Sequence, residues 1–437
     1  MVSSSLLAHG LGGSGDLPVP YAYAMVGAAW ALTFTFALVA FAWKRPRFDP
    51  DKPGRPLPAV LTQLVDSPFA RATAAGLAFA FAVWVILVGM WGPQSPANGL
   101  LGAFYVLLWV GLVALSLMFG PVWRVISPVQ TLYLLLRRAL PDRLAEPRLA
   151  YPESWGYRPA AAGLFAFVWM ELASPNSASL SGVKAWLLVY TVALLSGAWL
   201  CGRRCLTRAD PFGVYSMAVS RLSPFRRHDG RIVIGNPFDH LPSMPVRPGL
   251  VMVLAALLGS TAFDSFSASP TWRNFSDSVT HADPLASSAL RSLGLVVFIS
   301  VVALTFSFAA RATGGLDAPR RRALPGEMAH SLIPIVVGYV FAHYLTYLVE
   351  RGQQAAIAVA DPLSRGWQVA YVLSMHPPVL ATIKVACVVT GHIVAVIAAH
   401  DKALRLLPAG HQLTGQLTMM LVMVGYTFTG LYLLFGG

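Results

Sequence analysis

The sequence predicts an all-α polytopic transmembrane bundle of about ten helices, forming one integral membrane domain over residues 1–437. Three observations predict it. Of the residues, 56% are hydrophobic and only 12% charged, against about 25% charged in soluble domains. Apolar blocks recur that are long enough to cross a hydrocarbon core of about 30 Å, which takes roughly 20 residues at 1.5 Å each. The basic residues avoid these blocks and cluster in alternate connections between them. A formal net charge of +13 would otherwise suggest a nucleic-acid partner. The clustering excludes that and fits cationic loops held against anionic membrane lipids.

Residues 1–20 read as an external segment. Met1 to Gly15 carries no Lys or Arg, and Leu6 to Ala8 is too short for the apolar region of a signal peptide, so the first helix must direct insertion. The spans fall at about 21–43, 70–90, 100–119, 159–173, 183–200, 248–266, 288–310, 327–350, 378–400 and 413–435. The fourth is short and runs into polar Ser174 to Ser181. Assigning the connections alternately to two sides tests the count. Lys44–Arg71, Arg124–Arg158, Arg203–Arg247, Arg311–Arg322 and Lys402–Arg405 together hold 26 of the 32 Lys and Arg. By the positive-inside rule these five are cytoplasmic and both termini lie outside, as in a multi-pass protein of a bacterial plasma membrane. The three cysteines, Cys201, Cys205 and Cys387, define no disulfide framework.

A weak internal repeat is visible. Arg71-Ala-Thr-Ala-Ala-Gly-Leu77 opens the second helix and Arg158-Pro-Ala-Ala-Ala-Gly-Leu164 the fourth. Each helix pair is followed by a capping step, Ser127-Pro128 or Asp210-Pro211, with a good N-cap and proline at the first helical position. Val129 to Leu140 and Phe212 to Leu222 then read as amphipathic helices lying on the inner surface. Asn236-Pro-Phe-Asp-His240 reads as a turn.

Ionisable groups inside spans are costly and need a reason. Tyr339, His343, Thr346, Tyr347 and Glu350 fall on one face of the eighth helix, and Pro334 can kink that helix. Lys384 lies seven residues inside the ninth helix and His343 seven residues inside the eighth, both about 10 Å below the outer boundary. Glu171 near the end of the fourth helix and Asp264 near the end of the sixth occupy the same leaflet. Asp264, His343, Lys384 and Glu171 therefore make the candidate catalytic set. The alternatives are an interhelical polar seam for the stripe and outward snorkelling for Lys384.

External His9, Asp16, Asp277, His281, Asp283, Asp361 and His376 add possible ligands. His9, Asp16, Asp264 and His343 are the set considered for a divalent metal, although no spacing matches a metal motif. On the inner half, His330, His392, His400 with Asp401, and His411 read as capping or interface residues. Haem between His330 and His400 is the competing assignment. Met419, Met420 and Met423 line one helix like a copper lane, but methionine is also ordinary packing material.

Five segments carry a family resemblance: Ala8-His-Gly-Leu-Gly-Gly-Ser-Gly-Asp-Leu-Pro18, Thr261-Ala-Phe-Asp-Ser-Phe266, Gly338-Tyr-Val-Phe-Ala-His-Tyr344, Ala399-His-Asp-Lys402 and Gly425-Tyr-Thr427. They resemble multi-pass bacterial membrane proteins labelled fenitrothion hydrolase. The resemblance spans nearly the whole chain and implies hydrolysis of a lipophilic organophosphate triester at its P–O–aryl bond. His9, Asp16, Asp264, His343, His400 and Asp401 fall inside the matching segments, whereas Lys384 and Glu171 do not. Two other functions compete: a proton- or ion-coupled transporter using the same cluster as a relay, and a haem-containing redox protein.

Overall fold

The computed structural model describes residues 14–140, 146–281, 283–362 and 367–436. It is an all-α bundle, and its strands are confined to one small sheet. Among the described residues nine helices are long and apolar enough to cross a membrane. They are α1 (Tyr21–Ala42), α2 (Pro68–Trp91), α3 (Gly99–Phe119), α5 (Leu180–Cys201), α6 (Leu250–Ser267), α7 (Pro284–Arg311), α8 (Ala318–Ala360), α9 (Pro377–Leu406) and α10 (Ala409–Phe435).

The tenth expected span is α4 (Arg158–Leu172), only 15 residues long and so about 22 Å. It still runs from one end of the bundle to the other. Beside its start the Tyr157 N–H donates to the Pro248 carbonyl. Beyond its end Ser177 accepts from the Tyr105 hydroxyl in α3. A short helix suffices because α4 lies against α6 inside protein, with Leu164, Phe167 and Val168 buried, and need not reach lipid headgroups itself.

All five basic connections gather at one end. β1 (Arg55–Pro56) and β2 (Phe225–His228) flank β3 (Arg231–Ile234) in an antiparallel sheet that joins the first connection to the third. Lys52 pairs with Asp239 at 3.0 Å. Arg208 and Arg247 meet Glu153 at 2.7 and 2.9 Å. Asp401 accepts the Arg47 N–H at 2.6 Å, and the His411 ring lies against Gly314 and Gly315. At the opposite end Tyr21 of α1 and Tyr432 of α10 are electrostatic neighbours. The outer helix faces expose Phe34, Phe41, Leu77, Leu188, Leu304 and Phe308, the surface a bilayer would cover.

Both capping steps form. Ser127 accepts from the Gln130 N–H and Asp210 from the Phe212 N–H. The helices after them differ. Pro128–Ala139 turns Val129 and Tyr133 inward and leaves Leu135 exposed, as a surface helix should. The expected second surface helix, Phe212 to Leu222, does not lie on the surface: Pro211–Val219 is buried along its length. Phe212 packs on Phe167 and Tyr215 on Trp109, while Ser216 bonds Ser116 at 2.8 Å. Aromatic rings packed on neighbouring rings, and a serine bonded across to another helix, make an interior helix. The repeat also diverges here, because Gly163 sits against Pro211 whereas Gly76 faces open space. Asn236-Pro-Phe-Asp-His240 is a short capped helix, with Asp239 buried and receiving the Asp49 N–H.

A close crossing joins α8 and α9. A Cβ on Gly338 would lie 2.5 Å from the Cys387 carbonyl, and one on Gly391 would lie 2.7 Å from that of Pro334. Small residues permit such an approach between membrane helices. Gly338→Leu is therefore expected to destabilise by roughly 1–3 kcal/mol or more, as overpacking does. Gly76→Ala, with nothing within 4 Å, should be neutral or stabilising. Thermal unfolding of the detergent-solubilised protein measures both.

Candidate functional site

The site is built where α6 meets α8. The last turns of α6 carry Thr261-Ala-Phe-Asp-Ser-Phe266, and α8 presents Tyr339, His343 and Tyr344 opposite them. His343 is 0% and Asp264 3% exposed, so neither exchanges its partners for water. His343 Nε2 lies 3.0 Å from Asp264 Oδ2. The same oxygen accepts the Tyr344 hydroxyl at 2.8 Å. An ionised Asp264 can only accept, so Nε2 is then the donor, and Nδ1 is an acceptor whenever the ring is neutral.

That acceptor faces Ser265, whose Oγ is 3.1 Å away. Ser265 Oγ also lies 3.2 Å from the Thr261 carbonyl and 3.3 Å from the Tyr339 hydroxyl. The Tyr339 ring is stacked parallel to the imidazole, with centroids 6.4 Å apart. The chain Asp264–His343–Ser265 thus repeats the role order of an acid–histidine–serine triad, with the two ring nitrogens exchanged. The carboxylate orients the ring, and the ring faces a hydroxyl whose proton it can take.

Glu171, at the end of α4, is an electrostatic neighbour of Asp264 and of Tyr105, Tyr215, Tyr344 and Tyr347. It therefore belongs to the same polar pocket. Lys384 is 1% exposed and lies on α9, within electrostatic reach of Asp16. This places it where the Ser14–Asp16 segment meets α9. The polar stripe of α8 divides along its length. Tyr339 and His343 face α6, whereas Glu350 accepts the Leu373 and Ser374 N–H groups at 3.0 and 2.8 Å and fastens an outer segment to the helix. Ser265 and Tyr344 were not singled out from the sequence. The hydroxyl-rich run closing α6 was a signal for the first, and the Tyr next to His343 a weaker one for the second.

His9 lies outside the described residues. Among the described residues no three His, Cys, Asp or Glu side chains group as metal ligands, and Asp264 and His343 are directed at each other. Asp277, His281, Asp283 and His376 are exposed, and Asp283 caps α7 through the Ala286 N–H. The inner histidines act within the protein. His400 uses both nitrogens, on Gln416 Oε1 at 2.9 Å and the Trp43 carbonyl at 3.0 Å, so it has none left for a haem iron. His330 and His392 each direct Nδ1 at a carbonyl of their own helix, while Nε2 of each is buried without a hydrogen-bond partner. Met419, Met420 and Met423 join Met328 around a cavity of about 30 Å³ in the inner half, room for one or two waters. The three cysteines are free thiols.

No family model, curated protein or solved structure matches this chain.

Tyr344 and His343 share one carboxylate oxygen, so their losses should differ in kind. Tyr344→Phe removes a single donor and is expected to cost about 1–3 kcal/mol of unfolding stability. His343→Leu leaves Asp264 without its ring partner and should cost more. Equal, negligible effects in chemical unfolding would mean that Asp264 is not held this way.

Proposed function

We propose that this membrane protein is a hydrolase of lipophilic organophosphate triesters, with Asp264 and His343 as its acid–base pair. One observation carries the reading: the buried His343 ring lies between a carboxylate and a hydroxyl, with Nε2 3.0 Å from Asp264 Oδ2 and Nδ1 3.1 Å from Ser265 Oγ. An uncharged phosphotriester needs a nucleophile deprotonated at the moment of attack, and a positioned base contributes typically 10²–10⁴-fold. His343 Nδ1 takes the Ser265 proton as Oγ attacks phosphorus. The P–O–aryl bond breaks, the aryloxide leaves with that proton, and water then cleaves the Oγ–P bond by the same base. The substrate class comes from the sequence resemblance. A site inside the bundle suits it, because an apolar triester concentrates in lipid. Lys384 has no assigned step. We assign the protein to a bacterial plasma membrane with its basic end in the cytoplasm, on the positive-inside rule.

A proton-coupled transporter is the second reading. The near-complete enclosure of the Asp264–His343 pair favours it, since a relay needs no room for a bulky ester. Membranes carrying the protein, incubated with a nitrophenyl phosphotriester, separate the two. Hydrolysis predicts nitrophenol release that falls at least about 100-fold in His343→Ala, Asp264→Asn and Ser265→Ala. Retained release in all three removes these residues from the reaction. Absence of release from wild type, with uptake driven by a proton gradient, favours transport.

A further inference from the structure

A second polar cluster lies at the basic end, away from the dyad. Arg221 follows the interior helix Pro211–Val219 and donates from Nη1 to His240 Nε2 at 2.9 Å and to Ser243 Oγ at 2.7 Å. Arg226, in β2, is 7% exposed. Its guanidinium lies against Gly235 and donates to the Lys52 carbonyl. Arg226 is an electrostatic neighbour of His240, and exposed Arg124 is one of Arg221.

Two features set this cluster apart from the neighbouring ion pairs. None of its arginines forms a salt bridge with a carboxylate among the described residues, whereas Arg208, Arg227 and Arg247 all do. In addition, Arg221 Nε, Arg226 Nε, Arg226 Nη1 and His240 Nδ1 are buried without a hydrogen-bond partner. All are nitrogens, and in the neutral imidazole that accepts from Arg221 at Nε2 the Nδ1 also carries hydrogen, so every orphan is a donor. Burial, then Arg221 and Arg226, push the His240 pKa down to about 3, which keeps that ring neutral. Burial and then Arg124 lower Arg221 to about 10, so the guanidinium stays charged. Buried cations without anions are strongly unfavourable, and unmatched donors call for an acceptor-rich partner.

We propose that Arg124, Arg221, Arg226 and His240 form a binding site for a phosphate-bearing anion at the basic end of the bundle. Guanidinium forks match phosphate oxygens in geometry and charge. Arg124, exposed beside half-buried Arg221, forms the approach. The anion is either inorganic phosphate or the headgroup of an anionic phospholipid, both abundant at such a surface.

The test follows thermal unfolding of the full-length protein in two settings. In uncharged detergent, inorganic phosphate is titrated against chloride at constant ionic strength. In nanodiscs, phosphatidylglycerol is compared with phosphatidylcholine. A phosphate-dependent rise in Tm in detergent identifies the free ion. A rise only in phosphatidylglycerol discs identifies the lipid. In either case Arg221→Gln and Arg226→Gln should weaken the apparent affinity at least about tenfold, the equivalent of one charge-assisted hydrogen bond. Should Arg226→Gln fail to fold, Arg124→Gln, at an exposed position, must still weaken the response. Arg320→Gln removes the same charge elsewhere on the basic end and should leave the response at the wild-type level. No rise in either setting, or an equal loss in Arg320→Gln, overturns the proposal.

Discussion

Polar groups inside this bundle have only the protein to bond with, because the surrounding hydrocarbon supplies no partner. The Asp264–His343 bond satisfies that requirement for the two most costly groups of α6 and α8, and it fixes how those helices meet. A carboxylate bonded at 3.0 Å to a ring nitrogen and at 2.8 Å to a phenol allows little rotation of either helix. The same requirement operates at the other end. His400 joins α9 to α1 through the Trp43 carbonyl and to α10 through Gln416. Asp401, next to it, accepts the backbone N–H groups of Arg47 and Phe48. Apolar faces permit many helix arrangements, and these bonds select one.

Much of this was legible in the sequence, for reasons that differ between residues. Span positions follow from counting apolar residues against a fixed thickness, so α1 and α6 begin and end within two residues of their expected bounds. Depth is equally readable, because 1.5 Å per residue places Asp264 and His343 in one leaflet before any contact is known. Rotation about the helix axis is harder. Asp264 meets Tyr344, one position beyond the expected stripe, because the partner helix stands between two faces of α8. Glu350 finds its acceptor role with the backbone of residues 373 and 374, a non-periodic contact that no helical spacing encodes. The segment Phe212 to Leu222 was misplaced because an apolar run broken only by Ser216, Ser220 and Arg221 fits both a surface and an interior position. The partners Trp109, Ser116 and Phe167 decide between them, and they come from other helices.

The two ends of the molecule use charge in opposite ways. At the dyad the two ionisable groups, Asp264 and His343, are enclosed and directed at one another. At the basic end some cations share carboxylates, as Arg71 and Arg227 share Asp66. Exposed pairs of that kind add little stability, whereas the backbone bonds of the three-stranded sheet hold the connections in register. Arg221 and Arg226 differ in having buried guanidinium nitrogens without a hydrogen-bond partner.

That sheet also bears on biogenesis. Arg55 and Pro56 pair with Val233 and Ile234, which the ribosome makes about 180 residues later, a delay of roughly 10–35 s at bacterial or eukaryotic elongation rates. The wait is longer still for Arg47 and Phe48, whose acceptor is Asp401, on a helix against which α1 packs. The first helix to enter the bilayer is thus among the last to acquire its native neighbours. During that interval its exit segment must be shielded by lipid headgroups, the insertion machinery or a chaperone, and order of insertion is not order of assembly.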